Sequence, residues 1–279
     1  MSGLPVLLDG LDFGEGPRWH DGRLWFSDFH QHTVSTVGDD GVRHVELELD
    51  DLPSGLGWLP DGRLLVVGME SRRVRRVEPD GAVVTHADLS SVAAGRCNDM
   101  VVAADGTAYV GNFGFELGTR AKPAALARVT PDGDVSVAAD GLEFPNGSVI
   151  TPDGRTIVVG ETFGNRATAF TIADDGTLRD RRAWADLGDV RPDGCTLDAE
   201  GAIWFADARG THVVRVREGG EVTDRIDAGQ RTFACALGGD DGRTLFVVCA
   251  DGTQDADVVG TATGTIRVAR VDVPHAGLP

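Results

Sequence analysis

No apolar run of about 18 residues occurs anywhere in this 279-residue chain, so no segment has the length to cross a bilayer as a helix. The N-terminus lacks both a basic segment and the apolar stretch of a secretory leader, which makes a cytoplasmic location the expectation and membrane contact an unexpected one. Cysteine is scarce. Cys97, Cys195, Cys235 and Cys249 lie far apart, without the close pairs that hold a structural zinc ion, and are expected as reduced, buried thiols. Basic blocks are missing as well: arginines alternate with carboxylates, and a formal charge of −18 repels polyanions, which argues against nucleic acid as a partner. That charge alone does not indicate a metal, because a solvated acidic surface gives the same sum.

What the chain does have is a phrase, roughly Asp-Gly-Arg-Leu followed by an apolar strand, repeated six times. His20-Asp-Gly-Arg-Leu-Trp-Phe-Ser-Asp28 and Pro60-Asp-Gly-Arg-Leu-Leu-Val-Val-Gly68 are two copies, and the repeat glycines are Gly22, Gly62, Gly106, Gly154, Gly201 and Gly242. Successive spacings of 40, 44, 48, 47 and 41 residues match a four-stranded propeller blade and exceed leucine-rich or ankyrin units. In five of the copies a second turn signal follows about 20 residues later, at Gly41, Gly81, Gly133, Gly176 and Gly220. The expectation is an all-β, six-bladed propeller of four-stranded antiparallel blades, forming a single domain over residues 1–279. The last copy lacks its second turn and is one strand short, so the N-terminal run Leu4-Pro-Val-Leu-Leu8 is expected to close the ring and remove two exposed edges.

The repeat phase also points to a site. Eight residues before the repeat glycine stand Ser54, Asn98, Asn146, Asp193 and Ala234, and Glu15 stands seven before in the first copy. Five of these six slots are polar, and the strand before this turn is the innermost of its blade, so polar groups from separate blades converge on the central channel. Glu15, Asn146 and Asp193 offer only hard oxygen donors, which suit Ca²⁺, Mg²⁺ or Mn²⁺ better than a thiolate-seeking ion. Read singly, Pro145-Asn-Gly147 and Pro192-Asp-Gly194 are ordinary hairpin turns; read together at one repeat phase they are a site.

Glu15-Gly-Pro-Arg-Trp19, Arg96-Cys-Asn-Asp99, Phe144-Pro-Asn-Gly147 and Pro192-Asp-Gly-Cys-Thr-Leu-Asp-Ala-Glu-Gly201 occur in an order and spacing that resembles the senescence marker protein/gluconolactonase/luciferin-regenerating enzyme family, over essentially the whole chain. The resemblance implies a six-bladed propeller with one divalent cation in its channel and lactone hydrolysis as the activity. Carried over by position, it implies that Glu15, Asn146 and Asp193 ligate the cation, with Ca²⁺ first and Mg²⁺, Mn²⁺, Zn²⁺ or Fe²⁺ as alternatives. It further implies that Arg96 and Asn98 contact substrate and that Asp193 handles protons. The inward direction of Asn98 follows from periodicity as well; that of Arg96 rests on the resemblance. In the loop Asn112-Phe-Gly-Phe-Glu-Leu-Gly-Thr-Arg120 the chain departs from the sugar-lactonase pattern, because Phe113 and Phe115 favour a less polar substrate and Glu116 is not close enough to the family's loop carboxylate to take its role.

The expected function is therefore a metal-dependent hydrolase opening a small lactone, either a sugar lactone or a less polar γ- or δ-lactone, and working as a monomer or weak homo-oligomer. A metal-assisted lyase or condensing enzyme and a non-catalytic metal-stabilised binding propeller are the alternatives, since propellers host many activities. The hypothesis places the developing oxyanion on the cation, with Asp193 as general base or as proton shuttle. His30 and His32 are expected on one face of a strand and outside the inner slot. Asp28, Asn112, Glu161 and Asp207 are a second repeat-phased set, expected to fasten turns. Within the polar stretch 250–264, residues 251–257 are expected as a solvated loop whose position near the ring closure also permits a lid, and Trp19, Trp25, Trp58, Trp184 and Trp204 are expected as core.

Overall fold

The computed structural model describes residues 3–116 and 119–277. After β1 (Val6–Leu11), the first blade comprises β2 (Gly14–His20), β3 (Arg23–Asp28), β4 (Thr33–Val37) and β5 (Arg43–Glu48), and the second β6 (Pro53–Trp58), β7 (Leu64–Gly68), β8 (Arg73–Val77) and β9 (Val83–Asp88). The third holds β10 (Cys97–Val102), β11 (Ala108–Asn112), β12 (Ala124–Val129) and β13 (Val135–Leu142), and the fourth β14 (Pro145–Ile150), β15 (Thr156–Glu161), β16 (Arg166–Ile172) and β17 (Leu178–Asp186). Then follow β18 (Pro192–Leu197), β19 (Ile203–Asp207), β20 (His212–Val216) and β21 (Val222–Asp227) as the fifth, and β22 (Arg231–Gly238), β23 (Thr244–Ala250), the short helix α1 (Asp255–Val258) and β24 (Gly264–Arg270) in the sixth.

Six four-stranded antiparallel sheets result, and the sixth has the order β1-β24-β23-β22, so the first strand of the chain completes the last blade. Val6 pairs with Arg267 and Leu11 with Gly264, which is the ring closure that the missing second turn predicts. All six repeat glycines sit at positive φ, with values from 70° to 91°, in the hairpins that join the first two strands of each blade, a conformation that glycine adopts without a Cβ clash. Among the described residues no helix is long and apolar enough to cross a membrane.

The core is divided. One apolar cluster fills each of the six interfaces between neighbouring sheets, such as Val149, Val158, Trp184, Leu197 and Phe205 between the fourth and fifth blades. Burial of each such large side chain contributes roughly 1.5–3 kcal/mol. The inner strands are buried along most of their length, whereas outer strands such as β5 and β21 are mostly exposed. A seventh cluster, Phe13, Phe233, Ala250 and Val258, caps the ring at the end where the chain enters the inner strands and ties α1 to it. All four cysteines are free and buried. Of the five tryptophans only Trp184 and Trp204 are core residues; Trp19, Trp25 and Trp58 remain half-buried, Trp19 stacked on Phe246 and Trp58 on His20.

Candidate active site

Every inner strand carries the same irregularity near its start. Glu15 and Arg18 stand opposite Ser27 and Trp25, so three residue steps on β2 oppose two on β3. The excess residue recurs between Pro53 and Leu56, Cys97 and Met100, Pro145 and Ser148, Pro192 and Cys195, and Thr232 and Ala234. Such a bulge bends the strand and re-aims side chains. At these bulges Glu15, Ser54, Asn98, Asn146, Asp193 and Phe233 turn inward and line one cavity of about 870 Å³. The residue count from the repeat glycine predicts Ala234 for the sixth blade; the structure corrects this to Phe233. Only one residue separates Thr232 from Ala234 in that bulge, so Ala234 is already back in the ladder opposite Val248 and packs toward Gly194.

Small residues let these slots meet. A Cβ at Gly147 would lie 2.3 Å from the Asp193 carbonyl oxygen, and one at Gly16 or Gly55 would collide with the backbone of the next inner strand. The residues after the polar slots therefore press blade against blade, and Asn146 and Asp193, 47 positions apart in sequence, end 2.5 Å apart through a hydrogen bond donated by Nδ2 to Oδ1. The same Nδ2 donates to Thr162 Oγ1 at 3.2 Å, and that hydroxyl donates to the Pro192 carbonyl at 2.8 Å. Asn98 donates Nδ2 to the Pro145 carbonyl at 3.1 Å, while its Oδ1 is buried with no partner.

The electrostatics of this hub are unbalanced. Burial, followed by the charges of Asp193 and Asp99, pushes the Glu15 carboxyl well above the ordinary glutamate range. Burial, then Asp99, raises Asp193 to about 8 against the opposing hydrogen bonds from Asn146 and the Gly194 N–H. Beneath them Arg18 donates Nη2 to Asp99 Oδ1 at 2.8 Å and to the Met100 carbonyl at 2.6 Å. Three buried carboxylates thus share one guanidinium, and that guanidinium is committed to Asp99. With Glu15 and Asp193 both ionised, the residual charge is two negative units, the charge that a divalent cation balances. Among the described residues no group of three or more His, Cys, Asp and Glu is placed to hold a metal; the hub offers carboxylates and amides instead. The oxygen donors of Glu15, Asn146 and Asp193, all lining the cavity, suit a hard cation.

Glu15, Asn98, Asn146 and Asp193 are therefore brought together as their repeat phase predicts. Arg96 stands apart at the cavity wall, where its Nη2 donates to Glu70 Oε1 at 2.5 Å. His30 and His32 do not share a strand face: both lie in the turn after β3, with His30 lining the cavity and the His32 ring bonded to the Asp51 carbonyl. Phe113 lines the cavity edge-on to Phe144, Phe115 packs behind it against Phe163, and Glu116 is exposed. Residues 117 and 118 of that loop lie outside the described residues. The second polar set fastens turns, as expected: Asp28 accepts from the Asp12 and Phe13 N–H groups, Asn112 from Gly114, Glu161 from Glu143, and Asp207 from Arg191.

Sequence reasoning missed Arg18 and Asp99 and the side chain of Thr162, and of the two readings left open for the loop, Thr253–Ala256 sides with a place at the cavity, forming part of its wall. The loop is held down by Asp12, whose carboxylate accepts from the Gly260 and Ala262 N–H groups. It also missed Arg191 and Arg231, although both stand two residues before an inward slot and the repeat phase carries that signal. Six of the chain's 11 phenylalanines, Phe13, Phe29, Phe113, Phe144, Phe163 and Phe233, line the cavity, so the wall above the polar floor is largely aromatic.

Residues 13–251 match the family model described as SMP-30/Gluconolactonase/LRE-like region. A pentonolactonase from Haloferax volcanii is 27% identical over 292 aligned positions that cover 100% of this chain and 97% of the relative. Among solved structures, a gluconolactonase from Xanthomonas campestris is 25% identical with a TM-score of 0.75, covering 95% of this chain and 89% of that one. A calcium-binding protein, regucalcin, from Agrobacterium tumefaciens superposes with a TM-score of 0.79 at 22% identity, covering 99% and 98%, a likeness of fold alone.

Proposed function

This chain belongs to the SMP-30/gluconolactonase/LRE-like family, and from that premise we propose that it hydrolyses the ester ring of a small lactone at a hub where Glu15, Asn146 and Asp193 hold one divalent cation. The observation that carries the reading is the pair of buried carboxylates, Glu15 and Asp193, set without a free cationic side chain at the floor of an open cavity of about 870 Å³. Buried carboxylates are tolerated only when paired or bound to a metal. A bound cation of this type would supply Lewis-acid stabilisation to the carbonyl oxygen as negative charge develops on it.

The chain's own residues supply the rest. Water adds to the lactone carbonyl carbon, the ring C–O bond breaks, and the alkoxide leaving group takes up a proton, giving one hydroxy acid. Asp193 is the group we assign to hold the water proton and return it to the leaving oxygen, because its carboxylate stands at the cavity floor and is oriented there by Asn146. Asn146 fixes its orientation by the hydrogen bond described above, and Thr162 in turn holds Asn146. Asn98, with its amide held by the Pro145 carbonyl, lines the same floor, Arg96 lines the wall, and we assign both to substrate contact. The six lining phenylalanines favour a γ- or δ-lactone with an apolar face over a fully hydroxylated sugar.

The experiment is to replace Asp193 by Ala and by Asn, then measure bound Ca²⁺, Mg²⁺, Mn²⁺, Zn²⁺ and Fe²⁺ together with hydrolysis of aldonolactones and simple γ- and δ-lactones. Loss of turnover in Asp193→Asn with metal retained supports the proton role, and full turnover in that variant refutes it. Metal-stimulated thermal stability without hydrolysis of any lactone would instead make the protein a binding propeller.

A further inference from the structure

A second ring of side chains stands two residues before the inward slots: Phe13, Leu52, Arg96, Phe144, Arg191 and Arg231, in blade order, and all of them line the cavity. Its two arcs differ in chemistry. Arg191 and Arg231 come from adjacent blades, the fifth and sixth, while Phe13 and Leu52 from the first and second present hydrocarbon. Arg96 already spends its charge on Glu70. Arg191 and Arg231 have no carboxylate within salt-bridge distance among the described residues, in a chain whose net charge is −18.

Both guanidiniums are held in place rather than left to wave in solvent. Arg191 lies over the Phe163 ring at 5.6 Å and Arg231 over the Phe233 ring at 5.3 Å. Arg231 also donates Nη2 to the Ala208 carbonyl at 2.7 Å, while at Arg191 it is the main chain that is fixed, its N–H donating to Asp207 Oδ1 at 3.1 Å. Each nonetheless has a buried Nε–H with no acceptor. Those Nε–H groups are closed off by protein, but among the described residues neither Nη of Arg191 and only Nη2 of Arg231 has a protein acceptor, and a guanidinium with free Nη donors at a cavity wall is an incomplete anion site, since the fork geometry of arginine matches a carboxylate, sulfonate or phosphate. The acidic groups that share the cavity are the hub carboxylates Glu15 and Asp193 at the floor and Asp255 on α1, and neither arginine is paired with any of them.

We infer that Arg191 and Arg231 form an anion-recognition arc, and that the preferred substrate is a lactone carrying a second, permanently anionic oxygen group outside the ring being opened. The inference rests on the lactonase reading for the word lactone and on the wall itself for the anion. The arc sits in the ring above the hub, so a substrate bound with its carbonyl at the floor reaches the arginines with a substituent on its far side. The aromatic arc takes the hydrocarbon edge of the same molecule.

Two measurements test this. In the first, kcat/KM is compared for 5-oxotetrahydrofuran-2-carboxylate and for its neutral carboxamide, with 6-phosphoglucono-δ-lactone and glucono-δ-lactone as the pair that distinguishes a phosphate from a carboxylate. The wild type is expected to favour the charged member of at least one pair by roughly 10- to 100-fold, the ratio for one or two charge-assisted hydrogen bonds. In Arg191→Gln and Arg231→Gln that ratio falls toward one, whereas Arg225→Gln, an exposed position on β21, keeps it. A wild type without preference for either charged member overturns the inference. So does an equal loss on charged and neutral lactones, which would assign the arginines to the carboxylate generated by hydrolysis. In the second, tetrahydrofuran-2-carboxylate, which has no ester to cleave, is titrated by calorimetry into wild type and the Gln variants, whose folding is checked by thermal melting. Binding that weakens in both variants supports the anion site even if no lactone is turned over, so failure of the lactonase reading and failure of this one give different results. Absence of binding to the wild type, together with absence of charged-substrate preference, refutes it.

Discussion

The close contact at Gly147 gives the sharpest test of how the hub is assembled. A Cβ placed there would lie 2.3 Å from the Asp193 carbonyl oxygen, 2.8 Å from the Cys195 nitrogen and 2.9 Å from the Gly194 Cα, all of them backbone atoms of the neighbouring blade. Ordinary contact begins near 3.4 Å, so Gly147→Ala requires blades four and five to separate by about 1 Å. Overpacking of this kind costs about 1–3 kcal/mol, which for a chain of this size lowers Tm by roughly 2–10 °C. The separation acts on the Asn146–Asp193 hydrogen bond of 2.5 Å, so divalent-cation affinity is expected to fall by about 10- to 100-fold. Gly154→Ala is the control: its φ of +70° imposes local strain, yet nothing lies within 4 Å of its Cβ and it is far from the hub. Calorimetric melting and metal titration on both variants decide the matter. If Gly147→Ala keeps wild-type cation affinity, or if Gly154→Ala loses as much, the claim that blade contact sets the site geometry is wrong.

Removing residues 1–10 takes away most of β1 and the packing of Leu7 and Leu8 on the first–sixth blade interface; a Tm drop of about 10 °C or more is expected, and an unchanged melting curve would show that the closure carries no stability. Arg18→Met leaves Asp99 buried without its partner and should cost about 3–5 kcal/mol in urea unfolding, while the double change Arg18→Met with Asp99→Leu recovers part of it; equal losses would contradict the pairing. For Glu161, burial acts to raise the carboxyl, but hydrogen bonds from Arg166, Thr168 and the Glu143 N–H outweigh it and hold the group below the ordinary glutamate range. A depressed folded-state pKa stabilises above the unfolded-state value and that contribution is lost as pH falls through the folded-state value, so acid unfolding should be shallower in Glu161→Gln; identical pH profiles would refute the assignment.

The repeat made most of this fold legible. Turn chemistry at Gly22 and its five equivalents, a period in the forties and the missing second turn of the last copy were enough for six blades and for β1 as the closing strand, because hairpin geometry and edge removal are local demands that sequence states openly. Convergence of Glu15, Asn98, Asn146 and Asp193 was legible for the same reason: equal phase in a ring means equal radius. Their roles as ligands and as proton carrier remain our proposal, supported by the charge imbalance of the hub.

Other features were decided only when strands from different blades came together. Phe233 replaced Ala234 at the sixth slot because a bulge moved the inward position by one residue, which no fixed count registers. His30 and His32 both lie in a turn and point to different surroundings, where strand alternation would place them side by side. The ion pair of Arg18 with Asp99 joins residues 81 positions apart, and nothing local marks either as a partner of the other. Periodicity fixes direction and radius, since those follow from the backbone of one blade; partner choice, burial and the electrostatic field depend on distances between blades, and these exist only once the ring has closed.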